Sequence, residues 1–287
     1  MKKVPLEEAT SRAIKNLSVH RLTNKLVKQV TDRIVVEEPL EIRLRFFDQQ
    51  KWITKSLAVT MRTPGNDIAL ALGFLFSEGI VANKASVDSI TQLESNILLI
   101  QLFENCTVNL ETTERNFYAT SSCGICGKAT IDRLEKVSCF FPQQLRPLVK
   151  SSMIHGLPHK LTAAQSVFNQ TGGIHAAGLF SETGELVLQA EDVGRHNAVD
   201  KLLGMSLERS LVPLRNYIVV LSGRIGFELV QKTMMAGVPI LAAVGAPSSL
   251  AVELAEEAGM TLIGFLRDNR FNVYKGVERI IFQQIED

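Results

Sequence analysis

At 287 residues, with 46% hydrophobic and 21% charged side chains, the chain has the makeup of an ordinary globular protein, large enough for one big domain or two modest ones. A formal net charge of +1 excludes a global attraction to nucleic acid, so any anion site must be local. The start, Met1-Lys2-Lys3 running on to Glu7, Glu8 and Ser11, lacks the apolar core of a signal peptide, and no apolar run approaches a bilayer span. A cytoplasmic protein without a membrane segment is expected.

Residues 1–30 are polar and mixed in charge and read as a helical or loose leader. Residues 34–36, 40–47 and 52–61 then read as short strands, the last two parted by Asp48-Gln49-Gln50. Pro64-Gly65-Asn66 turns into an apolar helix over 67–78, which Gly79 closes. Residues 96–103 and 106–110 predict two more strands joined at Glu104-Asn105, so 31–120 form a β-rich region with one buried helix. A Cys-x-x-Cys loop and linker over 121–150 separates this region from an α/β domain over 151–287.

In that second half, 178–180 and 186–189 form a hairpin, and Asp192 caps a helix running to about 203. Strands at 217–221, 239–244 and 261–265, the last of the buried strands, alternate with helices at 225–235 and 248–258. This alternation predicts a parallel sheet covered on both faces. Ligands collect at the C-terminal ends of such strands, where loops enter helices. Three ends stand out: Ser222-Gly223-Arg224, Gly245-Ala246-Pro247-Ser248-Ser249, and Leu266-Arg267-Asp268-Asn269-Arg270. Each alone is explained by turn and cap residues with solvated arginines; all three on one edge suit phosphate groups, and a pyrophosphate or nucleotide site is expected there.

Cys106, Cys123, Cys126 and Cys139 are too few for a disulfide scaffold in a chain this long. Cys106 and Cys139 lie among apolar residues and read as buried fillers. Ser121-Ser122-Cys123-Gly124-Ile125-Cys126-Gly127 reads as a mobile loop ahead of a short helix, with Lys128 and Arg133 nearby. A helix N-terminus and positive charge lower a thiol pKa and favour the nucleophilic thiolate. A bare Cys-x-x-Cys is equally half of a zinc site. The other half could be Cys139, or His155 and His159, although the gap from Cys126 to His155 is long for a finger and Pro158 breaks the helix that fingers use. His175 and His196 each sit in a Gly-rich setting that a structural histidine also explains.

Together these segments resemble the formate dehydrogenase accessory sulfurtransferase family, FdhD. The matching stretches are 71–80, Cys123 to Gly127, 171–177, 191–204, Ser222-Gly223-Arg224 and 262–265, in order between about 33 and 274. The resemblance implies a protein that takes sulfur from a cysteine desulfurase as a cysteine persulfide. It would pass that sulfur to the molybdenum cofactor, bis(molybdopterin guanine dinucleotide), for formate dehydrogenase. The persulfide would form on Cys123, with Cys126 as a supporting thiol. Phe265, Leu266, Arg267, Asp268, Asn269 and Arg270 would bind the cofactor, with GDP or GTP as a mimic, and no resident metal is implied. The implied fold is a cytidine-deaminase-like three-layer α/β/α sandwich with a mixed sheet, as a homodimer. Ser122 and Asn269 stand where the family pattern has Gly; Asn tolerates left-handed backbone, so the turn at Asn269 is expected to survive. A zinc nucleobase deaminase is disfavoured, because Ala176-Ala177 follow His175 where a His-x-Glu is needed. The rival from another class is a non-catalytic, cofactor-binding chaperone with a structural, zinc-type Cys-x-x-Cys.

Overall fold

The computed structural model describes residues 12–106, 108 and 145–282. The chain opens on a hairpin, β1 (Ile14–Thr23) and β2 (Leu26–Val35). There follow β3 (Glu38–Asp48), β4 (Lys51–Arg62), α1 (Asp67–Ser77), β5 (Val87–Glu94) and β6 (Ile97–Leu102). Beyond residue 144 come β7 (Val149–Lys150), α2 (Ser151–His155), α3 (Leu157–Ala164), α4 (Phe168–Thr171), β8 (His175–Ser181), β9 (Leu186–Asp192) and α5 (Arg195–Glu208). The last elements are β10 (Tyr217–Leu221), α6 (Phe227–Met235), β11 (Ile240–Ala243), α7 (Ser249–Glu257), β12 (Thr261–Arg267), β13 (Arg270–Lys275) and β14 (Ile280–Ile281).

Six strands in the order β13-β12-β11-β10-β8-β9 make the main sheet. Its centre, β10-β11-β12, is parallel, while β8, β9 and β13 run antiparallel to their neighbours, so the sheet is mixed rather than purely parallel. Alternation along the strands splits the apolar side chains between two faces. Val219, Leu221, Leu241 and Leu262 pack under α5, α6 and α7, whereas Ile218, Val220, Ile240 and Ile263 pack against Ile154, Leu157 and Leu161 of α2 and α3. The result is a three-layer α/β/α sandwich.

The smaller sheet, β4-β3-β6-β5, joins the same core. Helix α1 is apolar nearly all round because it is sandwiched between Leu40, Ile42 and Leu44 of β3 and the face of α5. The two helices approach until backbone meets backbone. A Cβ added at Gly73 would lie 1.8 Å from the Asp200 carbonyl oxygen, and one at Gly204 would lie 1.8 Å from that of Ala69. Beside this contact, Lys232 Nζ lies 3.0 Å from Asp200, 3.1 Å from Glu78 and 2.8 Å from Ser77 Oγ. Burial pushes the Asp200 carboxyl up to about 6 despite Lys232, and burial's downward pull on Lys232 is outweighed by Asp200 and Glu78, which raise it.

Several expectations are corrected. Of the leader expected over 1–30, residues 14–30 are not helical or loose but belong to a hairpin, turned at Asn24 and Lys25 with φ of 47° and 70°. Both central φ values are positive, as a two-residue turn that follows strand twist requires. Strand β5 is not among the expected strands; the strand expected at 106–110 lies mostly outside the described residues, and 106 and 108, which are described, have no regular structure. Bulges near Val87 and Gln92 break the two-residue period that would have marked β5. Helix α5 is capped by Gly194, not by Asp192. His155 and His159 fall on different helices, as expected: α2 ends at His155, and Pro158 occupies the first turn of α3, where a missing N–H costs nothing. Strand β12 runs on to Arg267, two residues past the expected end, and turns back through Asp268-Asn269 into β13, a further strand with no buried residue. Asn269 is absent from the positive-φ positions, so this turn is made without left-handed backbone there. Cys106 is half-buried, its Sγ 3.5 Å from the Ser86 carbonyl oxygen.

Candidate functional site

The three strand ends do meet on one edge, stitched by backbone. Ser222 N–H donates to the Ala176 carbonyl at 3.0 Å, and Ser222 Oγ accepts from Ala176 N–H at 2.8 Å. Gly245 N–H donates to Gly223 at 3.0 Å, and Phe265 N–H to Gly245 at 3.1 Å. The row tolerates little bulk: a Cβ at Gly245 would lie 2.7 Å from the Gly223 oxygen, and one at Gly223 3.2 Å from His175 Nδ1. Helices α5, α6 and α7 all begin at this edge, so their unpaired N–H groups and dipoles converge on it. Ser248 caps α7, its hydroxyl accepting from Ala251 N–H at 3.3 Å. Such an edge suits an anion.

The arginines differ in their engagement. Arg224 and Arg270 are exposed. Arg267 Nη1 donates to the carbonyls of Val244 at 3.0 Å and Leu266 at 3.2 Å, while its own carbonyl lies 3.2 Å from His155 Nδ1. His155 also packs on Phe271, with ring centroids 4.9 Å apart. Leu266 is fully buried, so of the stretch 265–270 it supports the edge rather than lining it.

Two histidines that the sequence left without a role sit at the same edge. His196 Nε2 lies 3.1 Å from Glu228, across α5 and α6. Burial, then Arg195 and Lys232, push His196 down to about 4, so it is neutral and donates to the carboxylate, which is half-exposed and screened by water. Burial and Arg195 also lower His175, against an opposing pull from Asp192. Asp192 itself is fully buried and pairs with Lys201 at 2.7 Å, accepting also from Thr63 N–H at 3.2 Å and Gly194 N–H at 2.8 Å. Lys201 bonds the Thr63 carbonyl at 2.8 Å, and Asn197 that of Met61 at 2.7 Å. The end of β4 thereby fixes the first turn of α5, and His196 with it.

Cys123, Cys126 and Cys139 lie outside the described residues. Among the described residues no group of three or more His, Cys, Asp or Glu is arranged to hold a metal ion, and no helix is long and apolar enough to cross a membrane. A cavity of about 710 Å³ opens at the other end of the sheet, between Arg146, Lys150, Glu182 and Asn216, away from the strand-end edge.

Fold and edge define the class: a three-layer α/β/α protein whose helix N-termini converge on one side of a mixed sheet. The chain belongs to the FdhD/NarQ family, whose profile matches residues 35–281. It is 46% identical to the sulfur carrier protein FdhD of Streptomyces coelicolor, over 94% of this chain and 96% of that one. The protein of the same name from Sulfurisphaera tokodaii is 44% identical over 93% and 99%, and that from Mycobacterium tuberculosis 41% over 94% and 97%. A crystal structure from Desulfotalea psychrophila, provisionally described as a formate dehydrogenase accessory protein, superposes with a TM-score of 0.70 over 94% of this chain and all of that one. At 23% identity it bears on the fold alone.

Proposed function

We propose that the protein is a cytoplasmic sulfurtransferase that carries sulfur from a cysteine desulfurase to the molybdenum cofactor of formate dehydrogenase. The observation that carries this reading is identity of 41–46%, over nearly the whole of both chains, to proteins named sulfur carrier protein FdhD. In the first step the Cys123 thiolate attacks the terminal sulfur of the desulfurase persulfide, forming a new S–S bond and releasing the desulfurase thiolate. Cys126 acts as a supporting thiol. The acceptor, bis(molybdopterin guanine dinucleotide), binds by its phosphates at the strand-end edge, where Arg224, Arg267 and Arg270 join three helix N-termini. GDP or GTP then serves as a partial mimic. The homodimer implied by the family resemblance belongs to the same reading and is testable by light scattering.

Incubation with a desulfurase and cysteine is expected to add one sulfur atom per chain, about 32 Da, removable by reductant and absent from Cys123→Ala. Absence of the adduct from the parent protein, together with one tightly held zinc per chain that Cys123→Ala loses, would favour the chaperone reading instead.

A further inference from the structure

The hairpin β1–β2 buries almost none of itself. Its root is fixed: Ile14 and Val35 pack with Ala13 on Val167, Phe168 and Ile174, and Arg33 Nη1 donates to Gln170 Oε1 at 2.9 Å. Beyond the root, Val19 and Val30 alone within the two strands are half-buried, and they face one another across the register. Every other side chain of the pair is exposed, among them Leu17 at 44% and, toward the turn, Leu22 at 68%, Leu26 at 65% and Val27 at 62%. Strands of 10 residues make an arm roughly 30 Å long. A lone hairpin is marginal in water, and apolar side chains exposed in a row mark a surface that another molecule covers.

The charge of the arm is one-sided. Lys15, Arg21, Lys25, Lys28 and Arg33 stand against Asp32 alone, on a chain whose net charge is only +1. Arg21 and Lys28 are paired directly across the strands, and both are exposed. Like charges in that position oppose hairpin formation, and a negatively charged surface relieves them. Alternation sets Leu17, Val19, Leu26 and Val30 on the same face as this pair. The complement of that face is an apolar patch rimmed by carboxylates. A second copy docked hairpin on hairpin would set Arg21 and Lys28 against their own kind. Residues 107–144 do not supply the complement either, since their 4 acidic side chains are balanced by 4 basic ones. Nucleic acid and lipid headgroups are commonly met with aromatic side chains, and residues 14–35 contain no Phe, Tyr or Trp. An acidic protein surface fits best.

The root of the arm lies at the strand-end edge. Ile174, on which it packs, directly precedes His175, the neighbour of Gly223. Three residues past the hairpin, Glu38 pairs with Arg62, next to Thr63, which Asp192 and Lys201 hold. A protein that takes a cofactor from this edge must come up beside the arm. We infer that β1–β2 is a docking arm for the apo-enzyme that receives the cofactor, and that it grips an acidic surface with an apolar centre. This rests on the proposed function and adds the surface that holds the recipient.

Interferometry with the full chain and purified formate dehydrogenase lacking its cofactor tests it. Binding is expected to weaken as salt rises, and Arg21→Glu combined with Lys28→Glu to slow association on the order of ten-fold or more. Arg21→Glu alone makes the cross-strand pair opposite in charge, so it should bind the apo-enzyme more weakly while melting no lower than the parent; a merely structural Arg21 requires the reverse. Sulfur loading by the desulfurase should be unchanged in both variants. Apo-enzyme binding like the parent's in the doubly reversed variant would overturn the assignment. Loss of sulfur loading in its place would give the arm to the sulfur donor, and a fall from dimer to monomer in light scattering would give it to a second copy. Loss of binding to phosphatidylglycerol vesicles, with apo-enzyme binding intact, would give it to a membrane; each of these also overturns it. If the parent gains sulfur but does not bind the apo-enzyme, the docking assignment fails alone. If it does neither, the proposed function fails and the assignment with it.

Discussion

Arg267 and Arg270 stand directly opposite one another across the β12–β13 turn, two like charges in a paired position. Such pairs are unfavourable unless something draws the charges apart or an anion lies between them. The Val244 and Leu266 carbonyls draw the Arg267 guanidinium inward, and Arg270 is left exposed. The two arginines should therefore fail differently. Arg270→Ala is expected to weaken GDP roughly ten- to a hundred-fold without loss of stability, and Arg270→Lys to rescue it only in part, lacking the bidentate fork. Arg267→Ala should cost at most about 0.5–1.5 kcal/mol of stability as well, the net worth of an ordinary hydrogen bond, because water can reach the exposed Val244 contact. Calorimetry and urea denaturation, run on both variants, separate the two.

Arg270→Ala should still accept sulfur from the desulfurase yet fail to activate formate dehydrogenase, because the edge and the thiols serve different steps. Cys123→Ala should show neither adduct nor activation, and Cys126→Ala a milder loss. Full client activity in Cys123→Ala at normal protein level would end its assignment as the persulfide residue.

At the crossing of α1 and α5, Gly73→Ala or Gly204→Ala puts a methyl group 1.8 Å from a backbone oxygen. Backbone cannot rotate aside as a side chain does, so the helices must separate. A loss above about 3 kcal/mol is expected for each, well beyond ordinary overpacking. Denaturant midpoints close to the parent's would show that the crossing yields more easily than its geometry implies.

Acid should weaken the fold through His196. Its folded value of about 4 lies below the ordinary 6.5, so between these values the unfolded chain binds more protons than the native one. Stability is then fully present above about pH 6.5 and falls as pH drops toward 4, by at most about 2 kcal/mol once solvent screening is allowed for. His175 is shifted the same way. His196→Gln should flatten this part of a urea-midpoint profile; an unchanged slope would remove His196 as its source.

Much of this architecture is legible in the sequence wherever burial is uniform. The continuous apolar runs of β10, β11 and β12 and the helices after the first two have no competing reading, and neither does α1. The hairpin β1–β2 escapes because both its faces are largely exposed, so no hydrophobic alternation marks it. Strand β5 escapes through its bulges, and α2 to α4 through their shortness. At the edge, Ser222-Gly223-Arg224 and the arginines stand out as Gly- and Arg-bearing strand ends. The link from Asp192 and Lys201 to Thr63 crosses more than a hundred residues of chain and leaves no local trace. The register slip of β12 against β13, between Gly264 and Arg267, likewise leaves no mark in composition.

The crossing of Gly73 and Gly204 has a mechanical consequence. Where helices meet through side chains, rotamers can repack and let one layer slide on another. Here carbonyl rests on α-carbon, and the Lys232, Asp200 and Glu78 charges bolt the seam from beside it. The smaller sheet and the sandwich then behave as one welded chassis, with no hinge at this seam. Among the described residues, no movement across this seam can then open or close the strand-end edge.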